Sequence, residues 1–288
     1  MKILIIGASG LVGSAILENL IDHHEAIGTY NNFRVENFKK LNLSDQLETN
    51  IFFKSNNFDV IICCSGLTNV DYCEENEEES FLNNVVSVRN MLNNIQATQT
   101  KIIYISTDYV FNGKNGPYKE EDLTDPISIY GEHKLIAENI IFAHSINNVV
   151  IRVTNVFGPE RRSKNFLNRL LNHKGFEELF IPIDQYATPV FSLDIGKLVN
   201  RIIESDKSGL YHLGGYEYLS RQDIVDLFNY YSKDKIKYKT FVTSNSFQAA
   251  KRPLLCGLRN LRLKEDFPDF KFTTIQMYIK QMLNLEVN

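Results

Sequence analysis

Residues 2–20 read KILIIGASGLVGSAILENL, and this stretch decides the fold. An apolar run at 2–6 passes straight into GASGLVG at 7–13. From there Leu11, Val12, Ala15, Ile16 and Leu20 recur at helical spacing. Strand, glycine-rich turn and helix in that order is the setting in which such glycines bind a dinucleotide. Gly7 permits the tight turn, Gly10 lets a pyrophosphate approach the backbone, and Gly13 lets the helix pack close to the strand. The first helical turn points amides and a positive dipole end at the phosphates, which adds Ser9, Leu11 and Val12 as candidate contacts. The spacing is GxxGxxG rather than GxGxxG, and a plain tight turn is the competing reading. The apolar start has no small-residue cleavage site behind it and reads as a strand, not a leader.

Working outward, apolar runs at 26–30, 60–64, 101–106 and 149–153 read as further strands. A helical stripe through Phe81, Val85, Val88, Met91, Leu92 and Ile95 predicts a helix over 79–98, and another follows at 131–143. Apolar strands alternating with amphipathic helices imply right-handed crossovers and a parallel sheet covered on both faces. The second half predicts helices at 166–171, 193–204, 221–231 and 274–285, and strands at 179–183 and 209–215. The expected fold is therefore α/β. It is a Rossmann-like, doubly wound parallel sheet over 1–155 with a smaller, interleaved C-terminal substrate lobe over 156–288. Residues 190–215 are expected to return to the first domain. The acidic run at 74–79 suits a solvated helix start.

Composition narrows the function classes. The chain has 288 residues, 43% hydrophobic and 23% charged, with a net charge of −4. A mildly acidic chain without a basic block is a poor binder of nucleic acid or anionic membrane. No apolar run is long enough to span a bilayer. Cys63, Cys64, Cys73 and Cys256 make neither a disulfide framework nor a zinc pattern, which suits a reducing, cytoplasmic setting. His23 and His24 are adjacent and cannot share a helical face, so no metal site is expected. His133 is expected to face solvent. Arg161 and Arg162 stand in an ERR loop, where a substrate diphosphate or plain solvent suits them equally.

Two features carry chemistry. The segment 28–34, GTYNNFR, lacks the carboxylate that would bind the adenosine ribose hydroxyls. That removes a repulsive charge from the 2′-phosphate of NADP, which Arg34 could pair and Asn31 or Asn32 could hydrogen-bond. NADPH is the expected cofactor, with NADH the alternative. Tyr130 and Lys134 lie one turn apart on one helix face, and a strand ends in Ser106-Thr107-Asp108 at the edge where a parallel sheet binds ligands. A cation beside a phenol stabilises its phenolate, so Tyr130 could protonate a carbonyl oxygen held by Thr107.

These motifs, together with STDYVFNG (106–113), PYKEEDLTDPISIYGEHKLIAE (117–138), IRVTNVFG (151–158), DQYATPVFSLDIGKLV (184–199) and RPLLCGL (252–258), resemble the extended short-chain dehydrogenase/reductases. More narrowly, they resemble the dTDP-4-dehydrorhamnose reductase family. The resemblance implies Thr107, Tyr130 and Lys134 as catalytic residues, and Ser65, Gly66 and Thr68 near the cofactor. It implies Asn84 as a structural or cofactor-side residue, and Asp108, Val110, Asn155 and Arg252 on the substrate side. It implies reduction of a nucleotide-linked 4-keto-6-deoxysugar. The alternatives are another sugar-nucleotide epimerase or dehydratase, or a non-catalytic regulatory subunit; a homodimer is a further expectation. The chain departs from the family pattern at Ser65 and Gly66, where alanines are usual, and at Asn42, where an acidic residue is usual. Asn155 stands where a Trp often follows.

Overall fold

Four strands are buried along nearly their whole length: β1 (Lys2–Ile6), β4 (Val60–Cys63), β5 (Lys101–Thr107) and β6 (Val149–Val153). Such strands need cover on both faces, and side chains alternate between the two. Ile3, Ile5, Ile62, Ile103 and Ile151 enter one core; Leu4, Ile6, Ile61, Ile102 and Val150 enter the other. The computed structural model describes residues 1–95, 99–173 and 178–285.

With β2 (Glu25–Tyr30), β3 (Lys39–Lys40) and β9 (Gly209–Leu213), the sheet has seven parallel strands in the order β3-β2-β1-β4-β5-β6-β9. The first face is covered by α1 (Leu11–Leu20) and α8 (Ser192–Glu204). The second is covered by α2 (Gln46–Lys54), α5 (Ser87–Asn94) and α6 (Ile129–His144). A separate apolar core joins α7 (Phe166–Leu171), α9 (Arg221–Tyr231) and α11 (Ile275–Met282) around Phe157, Leu170, Phe228 and Ile279. Two small sheets accompany it: β7 (Leu179–Pro182) with β11 (Tyr238–Phe241), and β8 (Tyr186–Ala187) with β10 (Leu219–Ser220). The chain returns to the first core twice. One return is through α8 and β9. The other, through Leu263, Phe267, Phe270 and Phe272 at and beyond α10 (Leu261–Asp266), lies outside the segment predicted to return.

Several elements differ from the sequence reading. The helix predicted over 79–98 begins earlier and is broken. α3 (Val70–Glu75) and α4 (Glu77–Phe81) are separated by Asn76, a π-helical turn spans Leu82–Val86, and α5 ends at Asn94 with Ile95 extended. Residues 96–98 of that prediction lie outside the described residues. The acidic run is accordingly split: Glu74 and Glu75 finish α3, while Glu77, Glu78 and Glu79 fill the first turn of α4, where the helix dipole favours them. The last helix stops at Met282, with Asn284 in the left-handed region at φ 54°. His133 is 3% exposed rather than solvent-facing, because α4 packs over α6; its Nδ1 lies 2.8 Å from Ser80 Oγ.

Under the sheet's carboxyl edge lies a buried ionic network. Arg152 on β6 donates from Nη2 to Glu138 Oε2 at 2.7 Å, and Ser106 donates to the same carboxylate. Removing one partner of such a pair leaves a buried charge uncompensated. Glu138→Ala is expected to lower unfolding free energy by about 3–5 kcal/mol. Denaturant titration checks this, and a variant as stable as the wild type would show that the pair contributes nothing.

Candidate active site

The strand order reverses at β1, so the carboxyl ends of β1 and β4 flank the crevice where such sheets bind ligands. The sequence directly after β1 builds the floor of that crevice. Gly7 has φ +80°, which any side chain resists, and a Cβ on Gly13 would sit 2.4 Å from Gly7 O. At Gly10 the nearest atom to such a Cβ is 3.4 Å away, so backbone is bare there and space lies above it. Gly10 is also the N-cap of α1 and brings no side-chain acceptor, so the first-turn amides are left for a ligand. A cavity of about 240 Å³ opens over this loop, lined by Gly7, Ser9, Gly10, Asn31, Ser65 and Gly66 among others. Bare backbone, uncapped amides and an open groove fit a dinucleotide pyrophosphate.

Other residues predicted for the cofactor are not at this cavity. Leu11, Val12 and Gly13 form the first turn of α1 and are outside the lining. Thr68 and Arg34 are exposed and stand outside the lining. Asn84, in the π-helical turn, accepts from Leu67 N at 2.9 Å and donates to Leu67 O at 3.1 Å. It pins the loop after β4 from within the π-helical turn.

The predicted hydroxyl, phenol and ammonium come from two elements. Thr107 ends β5. Tyr130 and Lys134 enter on α6, whose N-cap Ser128 accepts from Gly131 N at 3.3 Å. All three are buried. Burial pushes the Tyr130 phenol well above its ordinary range, and the Thr107 hydroxyl is the largest influence opposing it. Burial lowers the Lys134 ammonium to about 8, partly countered by Cys63 and Glu138. Its Nζ donates to Ile105 O at 2.8 Å and lies 4.0 Å from the centre of the Tyr104 ring. Tyr109, missed in the sequence, sets its ring edge-on to Tyr130 at 5.8 Å. Burial raises the Tyr109 phenol to about 12, against the pull of Arg252 and Arg221.

Those two arginines line a second, larger cleft of about 1130 Å³, along with Asn155, Lys164, Asn165 and Arg169. Asn155, at φ 37°, accepts from Arg221 Nη2 at 3.2 Å, and Arg252 pairs with Asp71 at 2.6 Å. Arg221 and Asp71 had no sequence signal, because their partners are distant in the chain. Asp108 and Val110, predicted on the substrate side, lie beneath it instead. The Asp108 carboxylate accepts from Thr154 and from Gly257 N, and Val110 is 0% exposed against Phe111, Tyr118 and Leu258. Of the ERR loop, Arg162 lines the glycine-loop cavity, whereas Arg161 lies on the outer side of α1.

A doubly wound parallel sheet, a glycine loop at its switch point and a Tyr–Lys helix beside it define an extended short-chain dehydrogenase/reductase fold. Residues 1–287 match the family described as RmlD substrate binding domain, and the chain belongs to that family. It is 28% identical over 232 residues to a dTDP-4-dehydrorhamnose reductase of Aggregatibacter actinomycetemcomitans, covering 78% of this chain and 76% of the relative. It is 29% identical over 241 residues to methionine adenosyltransferase 2 subunit beta of Danio rerio, covering 79% and 74%. A solved dTDP-4-dehydrorhamnose reductase from Clostridium acetobutylicum superposes with a TM-score of 0.87 at 28% identity, covering 99% of each chain.

Proposed function

We propose that this protein is an NADPH-dependent reductase of a nucleotide-linked 4-keto-6-deoxysugar. The observation that carries this reading is the pairing of Tyr130 and Lys134, one turn apart on α6, with Thr107 at the carboxyl end of β5. Lys134 Nζ donates to Ile105 O at 2.8 Å, on the strand that ends in Thr107. The Tyr130 ring meets Tyr109 edge-on at 5.8 Å. The dinucleotide would bind over Gly7 and Gly10 and supply hydride to the keto carbon. Tyr130 donates the proton to the oxygen, Lys134 stabilises the phenolate left behind, and Thr107 holds the oxygen in place. The arginines of the cleft suit the diphosphate of a sugar nucleotide. NADPH is favoured because no carboxylate follows β2 to repel a 2′-phosphate.

In this proposal residues 1–155 carry the dinucleotide, and 156–288 mostly carry the sugar nucleotide, with 190–215 serving the first unit. A cytoplasmic setting and a homodimer belong to the same proposal, which assigns no role to nucleic acid. The four free cysteines are its support for the compartment. The similarity to a subunit named for methionine adenosyltransferase carries a second reading, a dinucleotide-binding regulator. A panel of nucleotide 4-ketosugars with NADPH separates the two. Loss of NADPH absorbance on one of them is expected. An enzyme that binds NADPH but reduces none of the panel favours the regulator, and retained NAD with no net consumption favours an epimerase.

A further inference from the structure

The cavity over the glycine loop has an unexpected wall. Its lining includes a single cation, Arg162, which comes from the loop after β6 rather than from any segment of the β1–α1–β2 unit. One terminal nitrogen of Arg162 stands 3.8 Å from where a Cβ on Gly10 would be. Its guanidinium carbon is 5.8 Å from the centre of the Phe33 ring, just after β2. The guanidinium therefore stands between Gly10, at the pyrophosphate end of the crevice, and Phe33, just after β2 where the adenosine ribose is received. Among the described residues no carboxylate pairs with it. The one carboxylate in the lining, Glu79, is taken by the Tyr72 hydroxyl at 2.6 Å.

The loop that carries Arg162 is built to present it. Glu160 Oε2 accepts from Lys164 N at 2.8 Å and from Asn165 N at 2.9 Å, closing the base of a turn with Arg162 near its apex. Ser163 adopts φ 49°, which reverses the chain directly after Arg162. Asn165 then caps α7 by accepting from Asn168 N at 3.1 Å. A guanidinium beside the bare backbone of Gly10, with no carboxylate paired to it among the described residues, is a phosphate-binding arrangement.

We propose that Arg162 clamps a phosphate of the dinucleotide from the opposite lobe, and that it, rather than Arg34, is the cation that recognises the cofactor. The inference rests on the dinucleotide reading of the crevice but not on any particular sugar. The clamp also joins the two ligand sites. Ser163, Lys164 and Asn165, which follow it directly, line the large cleft.

The test is equilibrium binding of NADPH and of NADH, read by dinucleotide fluorescence, to wild type, Arg162→Ala, Arg162→Lys and Arg34→Ala. Arg162 is exposed, so its variants should fold, and thermal unfolding of each is recorded alongside. Loss of a charge-assisted contact predicts roughly tenfold to hundredfold weaker binding in Arg162→Ala, with partial recovery in Arg162→Lys. Weakening confined to NADPH assigns the contact to the 2′-phosphate, and equal weakening of NADH assigns it to the pyrophosphate. Unchanged affinity for both in a folded Arg162→Ala, or a loss seen only in Arg34→Ala, overturns the clamp. Because binding is read without turnover, a wild type that binds NADPH yet reduces no sugar leaves this test intact. A wild type that binds neither dinucleotide overturns the clamp and the crevice reading together.

Discussion

Tyr130→Phe is expected to lower turnover by about 10²–10⁴-fold while leaving NADPH affinity and thermal stability near those of the wild type. The change removes one hydroxyl and keeps the ring, so the edge-on contact with Tyr109 survives and no cavity opens in α6. What disappears is the proton. Burial holds the Tyr130 phenol protonated well beyond neutral pH, so it waits as an acid. A Lys134 pKa of about 8 leaves the ammonium mostly charged at pH 7, ready to stabilise the phenolate once the proton has gone. Phenylalanine offers neither proton nor anion, and Thr107 alone cannot replace an acid of matched position. Steady-state reduction of a 4-ketosugar nucleotide, with dinucleotide binding measured separately, checks this. Wild-type turnover in the variant would remove Tyr130 from the mechanism; only a wild type inert on every sugar tested would make the regulatory reading the better one.

The parts of this molecule legible in the sequence are those written in local pattern. The strand at 2–6, the glycine turn and the helix from Leu11 are contiguous, and each residue's role follows from its neighbours. The stripe on α6 likewise placed Tyr130 and Lys134 on one face. Illegible were the features that depend on where distant segments meet. Asn84 lies in a π turn and bonds to both backbone groups of Leu67, and periodicity contains no trace of that partner. His133 is buried by Ser80 and Phe81, which arrive from a helix the sequence reading merged into a longer one. Asp108 is placed on the substrate side by the family resemblance. Its lone pairs are instead taken by Thr154 and Gly257, 46 and 149 positions further on. The ERR loop suited a substrate diphosphate and plain solvent equally for Arg162, but with the turn at Ser163 a terminal nitrogen of Arg162 stands beside Gly10.

Two glycines in one loop should fail in different ways, and the difference tests what the loop is for. Gly13→Ala puts a methyl 2.4 Å from Gly7 O and 2.8 Å from Ala8 Cα, both backbone atoms with nowhere to go. Helix α1 must then tilt off the sheet, at a cost of about 1–3 kcal/mol or more, so stability falls whether or not cofactor is present. At Gly10 a Cβ meets nothing closer than 3.4 Å, and the backbone at φ −88° and ψ 171° accepts any residue. Gly10→Val should therefore fold with near wild-type stability. Its branched methyls would project over the turn beside the first-turn amides of α1, so dinucleotide affinity should be lost. Thermal unfolding with and without NADPH separates the two. The wild type should gain stability on adding NADPH and Gly10→Val should gain none, because a ligand stabilises only the fold it binds. A folded Gly10→Val that is still stabilised by NADPH would place the dinucleotide elsewhere and leave Gly10 as an ordinary turn residue.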